Sequence, residues 1–168
     1  LTPVVDSLGE GVYRDICLSW DAQKLVFAFG NGSDSWDGGQ SYHVYEANAD
    51  GSELRQLTKG LKNDCEPFYL PDGRIGFTSD RSEHFVMCGA DRHAPNLFVM
   101  NADGSDICQL SFNMYNDYTP SVMSDGRILF ASSACFQSVP CERRCDEVAN
   151  FCLMNADGSA VRRLCFDQ

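Results

Sequence analysis

The chain has 168 residues, enough for one domain with a hydrophobic core, and its 43% hydrophobic and 22% charged residues are typical of a globular protein. A formal net charge of −11 argues against nucleic-acid binding, because binding to phosphates requires clustered Lys and Arg. No run of eighteen apolar residues occurs, so no membrane-spanning helix is predicted.

The first predicted unit covers residues 13–58 and consists of short strands joined by tight turns. Its turn Asn-Ala-Asp-Gly-Ser, at residues 48–52, lies between two apolar runs. Helical periodicity is absent, and part of the unit alternates with the period of two that a strand requires. The apolar positions that define its strands are Leu25, Phe27, Phe29, Val44, Tyr45, Leu54 and Leu57.

Two further units follow at residues 63–111 and 116–166, and the same five-residue turn recurs at 101–105 and 155–159. Internal repeats at such a step are the signature of repeat architectures. Two further short sequence motifs recur in the same order and at a similar spacing in each unit. They are Asp-Gly-Arg, at residues 72–74 and 125–127 with a degenerate copy at 21–24, and an earlier aspartate, at Asp15, Asp64 and Asp117.

The repeated turn predicts a hairpin, because Asn at its first position and Gly at its fourth fit a type I turn followed by a left-handed residue. An EF-hand calcium loop is the alternative, and it requires a Glu seven residues after the Asp. Those positions hold Leu57, Leu110 and Leu164, which argues against calcium. A spacing of three in the last apolar pair, such as Leu54 and Leu57, predicts a bulge or a strand end there.

A unit of four short strands cannot bury both of its faces alone, so such units pack around an axis as propeller blades. The predicted fold is therefore all-β, with residues 1–168 forming three four-stranded blades of about 53 residues. Three blades cannot close a ring. We expect the ring to be completed by other chain segments or other copies, and hence a protein partner or self-association.

The strand, the turn and the following leucine pair resemble the WD40-like PD40 repeats of TolB-type β-propellers, over residues 44–57, 97–110 and 151–164. Residues 63–81 and 118–130 are also similar to repeats in secreted bacterial proteins related to the hydrazine synthase alpha subunit. The resemblance implies a propeller and leaves the function open, since propellers host unrelated activities. Proteins of that second group attach haem through Cys-x-x-Cys-His, a motif that this chain lacks.

Nine cysteines are an unusually high number, and they favour an oxidising compartment, so we expect a secreted, cell-surface or periplasmic protein with disulfides. Only Cys141 and Cys145 have a spacing suited to zinc, so disulfides are favoured over a metal site. Bridges within residues 132–149, or from there to Cys88, are predicted, and the pairing stays open. The disulfide candidates are Cys17, Cys65, Cys88, Cys108, Cys135, Cys141, Cys145, Cys152 and Cys165.

Three insertions, at residues 30–41, 79–95 and 132–149, fall at the same place in each repeat and are expected on one face, where binding residues concentrate. No metal site is predicted. Two aspartates of the first insertion could nevertheless hold calcium, and a tryptophan between them could stack on a glycan. Asn31 begins a glycosylation sequon. The candidate binding residues of this face are Asp34, Trp36, Asp37, His84 and His93.

No catalytic residue is predicted, since neither a Gly-x-Ser-x-Gly elbow nor a haem-attachment motif is present. The sequence favours a non-catalytic extracellular or periplasmic propeller scaffold that mediates protein–protein interaction or self-assembly, without a cofactor. One alternative is the propeller portion of a larger secreted redox enzyme or hydrolase. The other is a glycan- or calcium-binding module that uses the insertion-loop face.

Overall fold

A computed structural model describes residues 4–31, 41–85, 93–133 and 149–164. These residues form three antiparallel four-stranded sheets, which we call blades 1, 2 and 3. Among them no helix is long and apolar enough to cross a membrane. The strands, in chain order and four to a blade, are β1 Val12–Leu18, β2 Lys24–Gly30, β3 His43–Asn48, β4 Arg55–Gln56, β5 Asp64–Tyr69, β6 Ile75–Ser79, β7 Asn96–Met100, β8 Cys108–Gln109, β9 Asp117–Val122, β10 Ile128–Ser133, β11 Ala149–Met154 and β12 Arg162–Arg163.

Each blade runs in chain order from its first to its fourth strand, and this arrangement confirms the all-β propeller-type fold with three four-stranded blades in an open ring. The first strands β1, β5 and β9 lie side by side, and we call them the inner strands. The insertions join the second and third strands of each blade at one end of the sheets, the loop end. The tight hairpin turns lie at the opposite end, the turn end.

Hydrogen bonds and backbone conformation explain the Asn, Asp, Gly and Ser of the repeated turn, and the Asn48 side-chain amide donates to Ser52 Oγ at 2.8 Å. In the first copy, the Asn48 N–H donates to the Ser52 carbonyl at 2.9 Å and the Gly51 N–H donates to the Asn48 carbonyl at 2.8 Å. The Asp50 carboxylate accepts from the Ser52 N–H at 2.9 Å, and φ of Gly51 is +86°. Only glycine adopts that angle cheaply. The same bonds recur at residues 101–105 and 155–159, so the turn is a hairpin that joins the third and fourth strands.

The outer strands β4, β8 and β12 have only two residues each. After β4 the backbone N–H groups of Leu57 and Thr58 both donate to the Val44 carbonyl, at 2.8 and 3.3 Å, while Thr58 Oγ1 accepts from the Val44 N–H at 2.9 Å. The threonine side chain thus replaces the next backbone partner, and the strand ends. The spacing of three between the last apolar residues marks a strand end.

Each inner strand contains a β-bulge at which one residue adopts a left-handed conformation. The residues are Asp15, Glu66 and Thr119, with φ of 57°, 49° and 51°. The bulge interrupts pairing with the second strand at the same place in all three blades. Strand pairing therefore aligns Asp15 with Glu66, two positions after Asp64, and the sequence alignment of Asp15 with Asp64 and Asp117 was wrong.

Two hydrophobic clusters lie between the blades and form the core. Between blades 1 and 2, side chains of β2 and β3 pack against those of β5, β6 and β7. Between blades 2 and 3, side chains of β5 and β7 pack against those of β10 and β11. Blade 2 packs against a neighbour on both of its faces, so every residue of its strands β6 and β7 is buried.

Candidate functional site

A groove of about 680 Å³ runs along the inner strands of the three blades. Its wall includes the bulge residues Asp15, Glu66 and Thr119, and Trp20 stands at the end of β1. The indole N–H of Trp20 donates to the Tyr69 carbonyl at 3.2 Å, so this side chain bridges blades 1 and 2. The groove therefore has acidic groups along its wall and an aromatic side chain near the turn end.

The carboxylates in this groove connect neighbouring blades. The Asp15 carboxylate of blade 1 accepts from the Glu66 N–H of blade 2 at 3.1 Å. The Glu66 carboxylate then accepts from the Thr119 N–H of blade 3 at 2.9 Å. A left-handed bulge residue turns its N–H toward the preceding blade, where the carboxylate satisfies it. Thr119 has no carboxylate, so the series of two bonds stops at blade 3.

Burial shifts the ionisation of two groups beside this series. It raises the pKa of the Glu66 carboxyl above its usual range, although the hydrogen bonds from Thr119 and Thr78 partly offset it. Burial also raises the pKa of the Cys65 thiol to about 12, against a smaller opposing effect of the Arg14 charge. A thiol with that pKa stays protonated at neutral pH and is a poor nucleophile.

A buried glutamate joins blades 1 and 2 behind the groove. Glu46 on β3 accepts from Arg55 Nε at 2.9 Å, from Lys24 Nζ at 3.2 Å and from the Tyr69 hydroxyl of blade 2 at 3.0 Å. Burial, followed by the charge of Glu46, raises the pKa of the Tyr69 hydroxyl well above its usual range. Arg55 Nη2 also donates to the Ala102 carbonyl in the turn of blade 2 at 2.8 Å. The network fixes the two blades relative to each other.

At the loop end, β5 and β9 each begin with a fully buried aspartate. Asp64 accepts from Arg81 Nε at 2.9 Å and from Ser79 Oγ at 2.7 Å, and His43 Nδ1 lies 3.8 Å away. Asp117 instead accepts from the amide of Asn113 at 3.1 Å. Both carboxylates hold the connections between strands in place. The described residues contain no group of three side chains arranged to hold a metal ion.

Blade 3 has a face on the side away from blade 2 against which no other blade of the described residues packs. Along β10 and β11, Ile128, Phe130, Cys152 and Met154 point toward blade 2, so the alternate residues point away. We call the set of these outward residues the open face; it consists of Met123, Leu129, Phe151, Leu153 and Leu164. Phe151 is 52% exposed, Leu164 42% and Met123 39%, whereas Leu129 is partly buried and Leu153 is buried.

The corresponding residues of blade 2 are buried against blade 3. Strand pairing places Leu97 in the position of Phe151, Leu110 in that of Leu164 and Leu70 in that of Met123. Their exposed fractions are 0%, 6% and 1%. The open face thus has the apolar character of an inter-blade contact, and no other blade in the described part of the chain covers these three positions.

Of the binding residues predicted from sequence, His84 and His93 lie among the described residues. His84 is exposed, and its carbonyl accepts from the Ala94 N–H at 2.6 Å. The His93 ring packs on Phe85 with centroids 4.9 Å apart. The structure thus places His84 near the start and His93 near the end of one insertion, where Phe85 pairs with His93. Asp34, Trp36 and Asp37 lie outside the described residues, so calcium or glycan binding there stays a prediction. Asn31 is exposed, as glycosylation requires.

Four of the nine cysteines lie among the described residues, and five lie outside them. Cys17, Cys65 and Cys108 have free thiols in this structure, and no disulfide joins any two of these three. Cys152 is buried between blades 2 and 3. The disulfide prediction therefore depends on the cysteines outside the described residues, namely Cys88, Cys135, Cys141, Cys145 and Cys165.

Sequence reasoning missed the residues that connect the blades. Glu46 occupies a strand position that holds Val99 in blade 2 and Leu153 in blade 3, so the repeat pattern predicts an apolar residue there. A charged residue at an otherwise apolar repeat position was the available signal. Asp15 and Glu66 gave none, because their role depends on a bulge that the sequence does not reveal.

Comparison with known proteins places this architecture among the propellers. No family model matches the chain. The structure of hydrazine synthase from Kuenenia stuttgartiensis is similar with a TM-score of 0.70 and 22% identity, over 91% of this chain and 25% of that one. A putative TolB from Agrobacterium tumefaciens is similar with a TM-score of 0.65 and 21% identity, over 93% of this chain and 49% of that one. The fold is that of TolB-type β-propellers.

The sequence itself is similar to a curated relative. Hydrazine synthase subunit alpha from Kuenenia stuttgartiensis is 27% identical over 169 residues, which cover 70% of this chain and 20% of that protein. Puromycin hydrolase has a TM-score of 0.64 and 14% identity, over 92% of this chain and 22% of that one. The chain thus spans about a fifth of its curated relative, and the resemblance to PD40 repeats extends to the three-dimensional structure.

Proposed function

We propose that this chain is a non-catalytic propeller scaffold of the extracellular space or periplasm, which binds protein through its open blade face. The observation that carries the proposal is the open face of blade 3. Contiguous exposed apolar residues on a soluble protein mark interaction sites. Phe151 and Leu164 are exposed there, while the same repeat positions in blade 2 are buried by a neighbouring blade.

The polar groups of the groove support a structural role. The carboxylates of Asp15 and Glu66 accept backbone N–H groups, and Glu46 accepts from two cations and a tyrosine. These bonds hold the blades together, and an acid used in this way is poorly placed to transfer protons to a substrate. The protonated thiol of Cys65 adds no nucleophile.

The location outside the cytoplasm rests on cysteine usage, because nine cysteines in 168 residues are typical of disulfide-bonded secreted proteins. We expect at least one bridge among the cysteines of the second and third insertions when the protein is produced in an oxidising compartment. Peptide mapping by mass spectrometry without reduction tests this. Finding all nine cysteines reduced would remove the support for this location.

Sedimentation velocity over a concentration series tests the binding role. We expect reversible association of the chain through its open face, and loss of that association in Phe151→Asp. Leu61→Asp is the matched control, because Leu61 is 92% exposed but lies between β4 and β5, away from the open face. Association that is equal in both variants, or absent from the unmodified chain at every concentration, contradicts the proposal.

A second candidate is the propeller portion of a larger secreted redox enzyme or hydrolase. The observation in its favour is that this chain corresponds to only a small part of longer enzymes. It matches a fifth to a quarter of hydrazine synthase and 22% of puromycin hydrolase. Determining the reading frame that encodes the chain tests this alternative. A Cys-x-x-Cys-His motif or a Gly-x-Ser-x-Gly elbow beyond the three blades would favour it over the free-standing scaffold.

A further inference from the structure

A second cavity lies between blades 2 and 3, apart from the groove of the inner strands, and we call it the inter-blade pocket. Its volume is about 470 Å³, within the range of sites for small organic ligands. Residues 109–113, at the end of β8 and after it, form one side, and blade 3 forms the other. Phe130 and Cys152 of its wall are buried, whereas Phe112 and Val161 are exposed. The pocket therefore extends from the surface into the interface between the blades.

One difference between the repeats accounts for this space. Strand pairing places Cys152 opposite Phe130 in blade 3, as it places Phe98 opposite Phe77 in blade 2. The rings of Phe77 and Phe98 stack with centroids 5.9 Å apart, and both belong to the core between blades 1 and 2. A cysteine side chain is much smaller than a phenylalanine ring, so the corresponding region beside Phe130 is left as part of the pocket.

The wall of the pocket contains a buried carboxylate that has no cationic partner among the described residues. Asp117 is 1% exposed. One of its oxygens accepts from the side-chain amide of Asn113 at 3.1 Å and the other from that of Asn96 at 3.4 Å. No Lys, Arg or His in the described part of the chain forms an ion pair with it. Buried charges are normally paired, and a carboxylate has room for about four hydrogen bonds.

The counterpart of Asp117 in blade 2 does have a cation. Strand pairing makes Asp64 this counterpart. Its carboxylate accepts from Arg81 Nε at 2.9 Å, from Arg81 Nη2 at 2.6 Å and from Ser79 Oγ at 2.7 Å. The residue 53 positions after Arg81 is Ala134, which lies outside the described residues. Blade 2 thus supplies a guanidinium from its own chain, and the sequence of blade 3 has no arginine at that repeat position.

The remaining charges of the wall also favour a cation. Asp157, in the hairpin turn of blade 3, is part of the wall and is exposed. The described residues of the wall include two carboxylates and no Lys, Arg or His. A cleft lined by charges of one sign attracts ligands of the opposite sign.

We propose that the inter-blade pocket binds an alkylguanidinium group, whose charged end pairs with Asp117. The guanidinium would donate two hydrogen bonds to this carboxylate, as Arg81 donates to Asp64. The alkyl chain would lie against Phe130 and Cys152, in the region that a phenylalanine occupies in blade 2. The pocket and the open face are on opposite sides of blade 3, so this proposal is independent of the proposed function.

Titration of the complete chain with n-butylguanidinium tests the proposal, and n-butylurea is the control ligand. The two compounds have the same number of non-hydrogen atoms and differ in charge. We expect n-butylguanidinium to shift the NMR signal of the Asn113 side-chain amide, which donates to Asp117, with a dissociation constant on the order of 1 mM or below. Binding of n-butylurea should be at least about tenfold weaker.

Two variants of the pocket and one matched control locate the site. Asp117→Asn should weaken binding about thirtyfold or more, as expected when one partner of a buried charge pair is removed. Cys152→Phe introduces the residue of blade 2 and should abolish binding by occupying the pocket. If Asp117→Asn does not fold, Cys152→Phe decides the result. Asp125→Asn removes an exposed carboxylate outside the pocket and should leave binding unchanged.

Equal binding of n-butylguanidinium and n-butylurea would overturn the proposal, as would binding that neither Asp117→Asn nor Cys152→Phe weakens. An acetylated Gly-Arg-Gly amide distinguishes the two sources of the group. Tighter binding of this peptide than of n-butylguanidinium supports the site and assigns the group to an arginine side chain of another polypeptide. Weaker binding of the peptide supports the site for a free small cation.

Discussion

The faces of blade 2 and blade 3 that point away from blade 1 have apolar residues at the same positions and different surroundings. In blade 2 that face includes Leu97 and Leu110, and blade 3 buries both. In blade 3 it includes Phe151 and Leu164, and both side chains are largely exposed. The repeat specifies the apolar positions, but only a neighbouring blade buries them. The stability of such arrays is approximately the sum of the stability of each repeat and the free energy of each contact between neighbours. Blade 3 therefore has one inter-blade contact fewer than blade 2 among the described residues.

The largest difference between the two faces should come from shortening their central side chains. We expect Leu97→Ala to lower the free energy of unfolding by about 2–5 kcal/mol, because it leaves a cavity between blades 2 and 3. Phe151→Ala should change it by about 0.5 kcal/mol or less, because the side chain is already half in water. Urea unfolding measures both. Similar losses at the two positions would show that the open face is buried.

The contact between blades 1 and 2 includes the buried carboxylate of Glu46, whose strand position is held in blade 2 by Val99. Tyr69→Phe removes the hydroxyl bond to buried Glu46, and we expect a loss of about 1.5–3 kcal/mol, the range for a hydrogen bond to a charged group. Tyr45→Phe is the control, because the Tyr45 hydroxyl has no hydrogen-bond partner among the described residues. The same urea titration compares them, and a loss at Tyr45 as large as that at Tyr69 would rule out the bond as the cause.

Substitutions at two glycines can distinguish the effect of the close contact between blades from the effect of backbone strain within a turn. Gly104 and Gly73 have φ of 88° and 89°, but only Gly104 faces a neighbouring carbonyl, that of Leu57. Replacement by Ala strains both turns, and at Gly104 it also pushes the blades apart. We expect Gly104→Ala to cost about 1–3 kcal/mol more than Gly73→Ala in free energy of unfolding. Equal costs would mean that the blades do not touch at this point.

The smallest effect concerns the series of carboxylates along the inner strands. Burial raises the pKa of Glu66, so the folded state keeps this proton to a higher pH than the unfolded chain does. The stabilisation that comes from the protonated Glu66 carboxyl is fully present below the pKa of the unfolded chain, about 4.3. It is lost as the pH rises through the pKa of Glu66 in the folded protein. We therefore expect the stability of Glu66→Gln, relative to the natural chain, to increase as pH rises above about 4.

An exposed acid provides the opposite case. The hydrogen bond and charge of Lys62 lower the pKa of Glu83, so its contribution is present above the unfolded pKa and lost as pH falls. Glu83→Gln should lose stability relative to the natural chain as pH rises. Unfolding midpoints measured across this pH range test both variants, and slopes of the same sign would show that burial does not govern Glu66.

The sequence predicted what depends on local repetition. The turn at residues 48–52 and its two copies have the hairpin structure that Asn and Gly at fixed positions require, and the number of blades follows from their count. The position of Asp15 could not be predicted, because Asp15 and Glu66 are 51 residues apart whereas Glu66 and Thr119 are 53 apart, and only strand pairing shows that the three are equivalent. Glu46 forms its contacts with residues of another blade, so no local pattern indicates them.

Hydrogen–deuterium exchange of the natural chain tests most directly the claim that the open face of blade 3 lacks its neighbour. Strand β7 is covered by blades on both sides, whereas, of the blades the structure describes, only blade 2 covers β11. At a protein concentration low enough to prevent association, amides of β11 should exchange at least about tenfold faster than those of β7, since end repeats open more readily. Equal protection of the two strands would contradict the account.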